Sequence, residues 1–359
     1  MVRVSISAAL AAGLAFATVA FAQEASPAVD LSQLPYASTK DSALLPDGRT
    51  IHLVCMGQGS PVVILTAGSG NWSNIWNKVQ PEVAQKTRVC AWDRAGFGLS
   101  SPSPKRQTVD NRTTDLQAAL KADHIDGPYV VVGHSLGGYE SLLLKDREPK
   151  KVVGMVLVDA SFPGQSAAFR HVAPALMDYA DAHPSPLGPY FLKCAADVRA
   201  GTVWYGKPDP NRCMAPPRPP TFPPELRAAL DKAQIESGPA AYARLFDIQA
   251  FYAGAQLLER DSEMLVKPDR NYGAMPLIVL TAGATEPPEP DIPEAVKAQI
   301  PLQRAEWLRA HDALAKLSAR GVNRVVPDST HYIHQLKPQL VIDAIDEVVD
   351  EARGSGKAH

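Results

Sequence analysis

The chain carries almost no net charge, only four cysteines and no apolar run comfortable for a bilayer. Lys and Arg number 36 against 38 Asp and Glu, a formal net charge of −2. With no basic surplus to neutralise phosphates, nucleic acid is not an expected partner. The longest apolar run, from about Ile6 to Phe21, falls short of the ~20 residues a spanning helix needs. It follows Arg3 and precedes the small-x-small triplet Ala20-Phe21-Ala22, which reads as a signal peptide over residues 1–22 and an exported, periplasmic or secreted product beginning at Gln23. Gln23, not a cysteine, stands directly after that cleavage point, so a lipoprotein is not suggested. No long basic amphipathic helix is present, so stable membrane insertion is not expected once the signal is removed. There is no internal repeat. The glycine pair Gly68 and Gly70 lacks a neighbouring lysine and the rest of either phosphate-binding fingerprint. The nearby histidines His331 and His334 have no additional ligand cluster, so neither a metal nor an organic cofactor is expected.

What is present is a strand rhythm. Pro61–Leu65, Arg88–Trp92, Tyr129–Val132, Val152–Val158, Pro276–Leu280 and Asn323–Val326 are read as largely apolar runs, as expected of strands covered on both faces. Helical patterns lie between them at Asn111–His124, Leu136–Asp146 and Glu306–Arg320, and from Pro338 onward with a stripe of Val341, Ile345, Val348 and Val349. This alternation predicts an α/β fold with a mostly parallel sheet and helices on both faces. Residues 23–47 read as a polar N-terminal arm, and 48–161 with 271–354 as the core. Between Val158 and Pro276 the rhythm stops. Lys207–Pro224 holds eight prolines, and Pro224–Glu236 and Pro239–Arg260 are helical in pattern, so 162–270 is expected to be a cap inserted over the core. Its aromatics, Tyr190, Phe191, Trp204, Tyr205, Tyr242, Phe246, Phe251 and Tyr252, are expected mostly to pack within it, with some lining a pocket. Among three connectivities for Cys55, Cys90, Cys194 and Cys213, the pairs Cys55–Cys90 and Cys194–Cys213 are preferred, with buried thiols the alternative for the first.

The strongest local signal is Gly133-His134-Ser135-Leu136-Gly137-Gly138, between the strand Tyr129–Val132 and a helix. A tight strand–turn–helix of this kind lifts a serine hydroxyl clear of a sheet at a helix N-terminus, where the free Leu136 N–H favours a developing oxyanion. His134 is expected to be structural. Serine needs a base, and the residue placed for it after the last strand is His331, with His334 as competitor. The carboxylate that orients the base has two candidates: Glu286, just past Pro276–Leu280, and Asp159, at the tip of Val152–Val158. Glu286 is slightly preferred. The loop Thr66-Ala67-Gly68-Ser69-Gly70-Asn71-Trp72 is placed to supply a second oxyanion donor, by position the Ser69 N–H.

These segments resemble the α/β-hydrolase superfamily, in its branch of exported serine hydrolases. The resemblance is carried by "IHLVCMGQGSPVVILTAGSGNWSNIW", "TRVCAWDRAGFGLSSPSP", "GPYVVVGHSLGGYESLL", "VVGMVLVDAS" and "HYIHQLKPQLVIDAI". It implies an eight-stranded sheet, Ser135 as nucleophile, His331 as base, and oxyanion donors at Leu136 and Ser69. It also sets the strand of Cys55 near that of Cys90, and gives Asp93–Ser100 a structural role in the active-site wall. Two departures stand out. Ala67-Gly68 replaces the usual His-Gly of the oxyanion loop, and the usual aspartate after the seventh strand is Glu286 or absent. Serine at the elbow, where dehalogenases and epoxide hydrolases of this fold carry aspartate, speaks against those activities. The expected activity is cleavage of an ester or similar acyl bond of a small, largely apolar substrate. An aminopeptidase or amidase on the same triad, a haloperoxidase-like or acyltransferase activity, and a catalytically silent binding protein are the alternatives.

Overall fold

A computed structural model describes residues 28–214, 219–253, 256–285, 287–288 and 291–355. The signal-peptide segment and Glu286 lie outside the described residues. Eight strands form one sheet: β1 (Ser42–Leu44), β2 (Thr50–Met56), β3 (Val62–Thr66), β4 (Val89–Trp92), β5 (Tyr129–His134), β6 (Val152–Val158), β7 (Leu277–Ala282) and β8 (Gly321–Val326). Their order across the sheet is β1-β2-β4-β3-β5-β6-β7-β8. β2 runs antiparallel to β1 and β4, and β3 to β8 pair in parallel. The expected α/β class with a mostly parallel eight-stranded sheet is therefore what forms.

The uninterrupted apolar runs explain the centre of the sheet. β3, β4, β5 and β7 are buried at every residue, because helices cover both faces. One face packs against Leu116, Leu142 and Leu314, the other against Val341, Ile345, Val348 and Val349, the stripe read from the C-terminal helix Pro338–Ser355. That helix sits so close that a Cβ on Gly154 of β6 would fall 2.4 Å from Val348 Cγ1. β8 departs from the expectation of a strand buried on both faces. It is an edge strand with Val322 and Val325 exposed and Arg324 paired with Glu347. The stretch read as an arm also contributes structure: β1 pairs with β2, and Tyr36 is fully buried with its hydroxyl donating to Gln80 Oε1 at 2.9 Å.

Between β6 and β7 the chain forms a helical insertion. Its helices include Leu187–Arg199, Pro224–Ala253 and Gln256–Met264. The long helix is broken at Gly238, whose φ of 76° is not helical, just before Pro239, where the sequence separates two helical patterns. The helix read as Glu306–Arg320 instead runs Ile300–Ala315, because Pro301 is accommodated in a first turn.

Both expected disulfides form. Cys55 and Cys90 face each other across the β2–β4 ladder with Cα atoms 4.1 Å apart, the close spacing of directly opposed antiparallel residues. Cys194–Cys213 ties the helix Leu187–Arg199 to the proline-rich loop, beside Tyr242 and Phe246.

Candidate active site

β5 delivers Ser135 at the carboxyl edge of the sheet. Its φ is 52°, a left-handed conformation that is uncommon for a residue with a side chain and clusters at functional sites. The turn is held by the Ser135 carbonyl, which accepts from Gly138 N at 2.9 Å and Ser161 N at 2.8 Å, and by Ser135 N donating to Val158 O at 3.2 Å. The small residues are required by contact: a Cβ on Gly133 would lie 2.4 Å from Gly137 O, and one on Gly137 2.4 Å from Thr66 O. The helix Gly137–Arg147 then begins at once, leaving the Leu136 N–H in a first turn whose donors have no intrahelical partner. The loop after β3 passes alongside. A Cβ on Gly68 would be 3.1 Å from Ser135 Cβ, so Ser69 follows a residue in near contact with the Ser135 side chain.

His331 follows β8, and its Nδ1 is 2.7 Å from Asp159 Oδ2. Asp159, itself at φ 42°, sits at the tip of β6. Its Oδ1 accepts from Trp307 Nε1 at 2.8 Å and from Ala282 N at 3.0 Å. Burial pushes the Asp159 carboxyl up, but the hydrogen bonds from His331 and Trp307 and the nearby histidines outweigh it and hold the group below the ordinary carboxylate range. The slight preference for Glu286 thus meets an arrangement in which Asp159 holds the His331 ring. Trp307, read from the sequence only as part of an apolar stripe, is a polar support of that carboxylate. An indole alone gives no sequence signal for such a role.

His334 does not share this arrangement. It is fully buried between Trp76 and His134, with ring centroids 4.7 and 4.3 Å away. His134 is buried too, and its Nε2 is 3.1 Å from the His331 carbonyl oxygen, which fits the structural role expected for it. Among the described residues, no group of three or more His, Cys, Asp or Glu is placed to hold a metal ion. No described helix is long and apolar enough to cross a membrane.

Two cavities flank these groups. The larger, about 610 Å³, lies between the Ser69–Trp72 loop and the insertion, and is lined by Phe97, Phe191, Phe222, Leu230 and Tyr252 among others, with no charged side chain among the described residues. The smaller, about 240 Å³, opens on the other side, between His331, Asp159 and Trp307. Of the insertion aromatics singled out in the sequence, Phe191 and Tyr252 reach the larger cavity, joined by Phe222, whereas Tyr190, Trp204, Tyr242 and Phe246 pack around the second disulfide.

The alpha/beta hydrolase family profile matches residues 62–344, and the chain belongs to that family. It is similar to a 2-hydroxy-6-oxo-2,4-heptadienoate hydrolase of Pseudomonas putida, 36% identical over 125 residues, 33% of this chain and 43% of that protein. It is also similar to lipase LipV of Mycobacterium tuberculosis, 33% identical over 138 residues, 36% of this chain and 51% of that protein. The matches span about half or less of the length of these relatives. Among solved structures, it is similar to a meta-cleavage product hydrolase from Pseudomonas fluorescens, with a TM-score of 0.51 and 16% identity over 86% of this chain and 97% of that one. An esterase from Thermogutta terrifontis gives a TM-score of 0.50 and 18% identity over 87% and 98%. At these identities the structural likeness shows the fold.

Proposed function

We propose that this hydrolase is an exported serine enzyme that cleaves an ester or similar acyl bond of a small, largely apolar substrate. His331 takes the hydroxyl proton of Ser135 as Oγ attacks the carbonyl carbon. The Leu136 and Ser69 N–H groups stabilise the tetrahedral oxyanion, and Asp159 holds the imidazole and balances the imidazolium. His331 then protonates the departing alcohol, and water resolves the acyl-enzyme by the same steps. The observation that carries this reading is the 2.7 Å bond between His331 Nδ1 and Asp159 Oδ2, together with a serine held at φ 52° at the end of β5. The uncharged lining of the larger cavity supports an apolar acyl or alcohol group beneath residues 162–270 acting as a cap. Two disulfides support export, since such bonds persist in oxidising compartments.

The test is labelling of the mature protein with a fluorophosphonate and turnover of p-nitrophenyl esters of increasing chain length. Labelling should vanish in Ser135→Ala, and turnover should fall sharply in His331→Ala. Asp159→Asn should lose about 10³- to 10⁴-fold in kcat, the cost of a wrongly held imidazole, and exceed the loss in Glu286→Gln. A folded wild type that neither labels nor turns over would instead point to a catalytically silent binding protein.

A further inference from the structure

Two longer bonds lie within the loop expected to supply the second oxyanion donor: Asn71 N donates to Gly68 O at 3.3 Å and Asn71 Nδ2 to Ser69 O at 3.3 Å. Thr66–Trp72 includes two glycines, residues that restrict the backbone least. The shorter bonds come from Arg94, in the turn after β4. Arg94 is 2% exposed. Its Nη2 donates to Ala67 O at 2.6 Å and its Nη1 to Gly68 O at 2.9 Å, while its Nε donates to Glu140 Oε1 at 2.7 Å. Glu140 lies on the elbow helix Gly137–Arg147, one and a half turns past Ser135. One planar guanidinium therefore ties the oxyanion loop to the helix that carries the nucleophile.

The direction of these bonds matters. In a trans peptide the C=O and the following N–H point in opposite directions. With the Gly68 carbonyl drawn onto Arg94, the Ser69 N–H must point away from the guanidinium, and the Ala67 carbonyl fixes the Gly68 N–H in the same way. The opposite packing surface is also defined, since a Cβ on Gly68 would meet His134 and Ser135 at 2.8 and 3.1 Å. The anchor is braced. Glu140 Oε1 also accepts from Arg112 Nε at 2.6 Å, and Arg112 pairs with Asp261 of the insertion at 2.9 Å. All four side chains are buried.

We propose that Arg94 is the positioning residue of the oxyanion hole. It sets the peptide planes of Ala67-Gly68 and Gly68-Ser69, so that the Ser69 N–H faces the nucleophile before substrate arrives. The proposal rests on the serine-hydrolase reading. Lysine cannot replace it, because an ammonium lacks the fork that reaches two carbonyls and a carboxylate in one plane. A preorganised donor acts on the transition state and not on ground-state binding.

The experiment uses Arg94→Met and Arg94→Lys in the mature protein, with Ser135→Ala as the inactive reference. Thermal midpoints establish folding, and Arg94→Lys carries the test if Arg94→Met does not fold. Measurements are kcat and KM on a p-nitrophenyl ester, the fluorophosphonate labelling rate, and the affinity of a trifluoromethyl ketone, which mimics the tetrahedral oxyanion. Expected is a kcat loss of about 10²-fold, near that of losing one oxyanion donor, with KM changed less than about threefold. The ketone affinity should fall in proportion to kcat/KM. Unchanged kcat in a folded variant, a loss confined to KM, or a kcat loss without weaker ketone binding would each overturn the proposal. Wild type that does not label sinks the serine-hydrolase reading, and this inference with it. Wild type that labels, beside Arg94 variants that match it, sinks the inference alone.

Discussion

Asp159 shows how much of the proposed catalytic arrangement is decided by a few atoms. Its two carboxylate oxygens are divided: Oδ2 faces His331, and Oδ1 takes Trp307 Nε1 and Ala282 N. A carboxylate so bonded cannot rotate without losing contacts on both sides, and it transmits that rigidity to the imidazole. Trp307→Phe removes one donor while keeping the ring that packs beside Phe162 and Phe169. A hydrogen bond to a charged group contributes about 1.5–3 kcal/mol, so kcat should fall by about ten- to a hundredfold with little change in KM. Steady-state kinetics beside a circular dichroism melt would check this; an unchanged kcat in the folded variant would mean that Ala282 N holds the carboxylate unaided.

At the scale of elements, the insertion is stabilised differently from the sheet. The strands of the core bury whole apolar faces, but the helix Leu187–Arg199 leaves Leu187 and Leu192 exposed and is tethered by Cys194–Cys213 to a loop rich in proline. Closing a loop with a sequence separation of 19 removes unfolded-state entropy equivalent to about 3 kcal/mol. The paired substitution Cys194→Ser and Cys213→Ser should therefore speed amide exchange in that helix and expose it to proteolysis, while β5 and β6 stay protected. Hydrogen exchange resolved by peptide would read this, and equal loosening of the sheet would show that insertion and core unfold as one unit.

For the molecule as a whole, the histidines behind the candidate active site set a pH limit on the fold. Burial pushes His334 down to about 3 from 6.5, with His331 and Lys78 adding like-charge repulsion. His134, buried and beside both other histidines, is also held well below its ordinary range. The faces of His334 meet the rings of Trp76, His134 and Tyr332. As pH falls below 6.5 the unfolded chain takes up protons that these buried rings refuse, so stability is lost from about 6.5 downward and the loss levels off near the folded-state value. For His334 alone this amounts to about 2 kcal/mol at pH 5, from 1.36 kcal/mol per pKa unit. Thermal midpoints measured from pH 7.5 to 4.5 should fall, and His334→Phe should shallow that slope by about one proton. An identical slope in the variant would show that His334 already has access to water in the native state.

The chain's own order determined much of this. Continuous apolar runs between helical patterns specify a parallel sheet, because only strands covered on both faces can dispense with polar alternation. Gly133, Ser135 and Gly137 mark an elbow, since the local backbone tolerates no larger neighbours. The position of His331 after the last strand follows from that same order. Local pattern does not reach across crossovers. Asp159 and Glu286 both follow strand ends, and local pattern yields only a slight preference, for Glu286; the bond from Asp159 to a histidine 172 residues away exists only once β6, β7 and β8 lie side by side. Trp307 and Arg94 were unreadable as polar supports for the same reason: their partners, Asp159, Ala67 and Gly68, come from distant segments. β8 carries Asn323 and Arg324 among its valines, and it lies at the sheet edge, where no ninth strand pairs with it among the described residues. Periodicity is written in neighbouring residues, whereas the choice among equivalent side chains is made by which strand ends the fold brings within hydrogen-bonding distance.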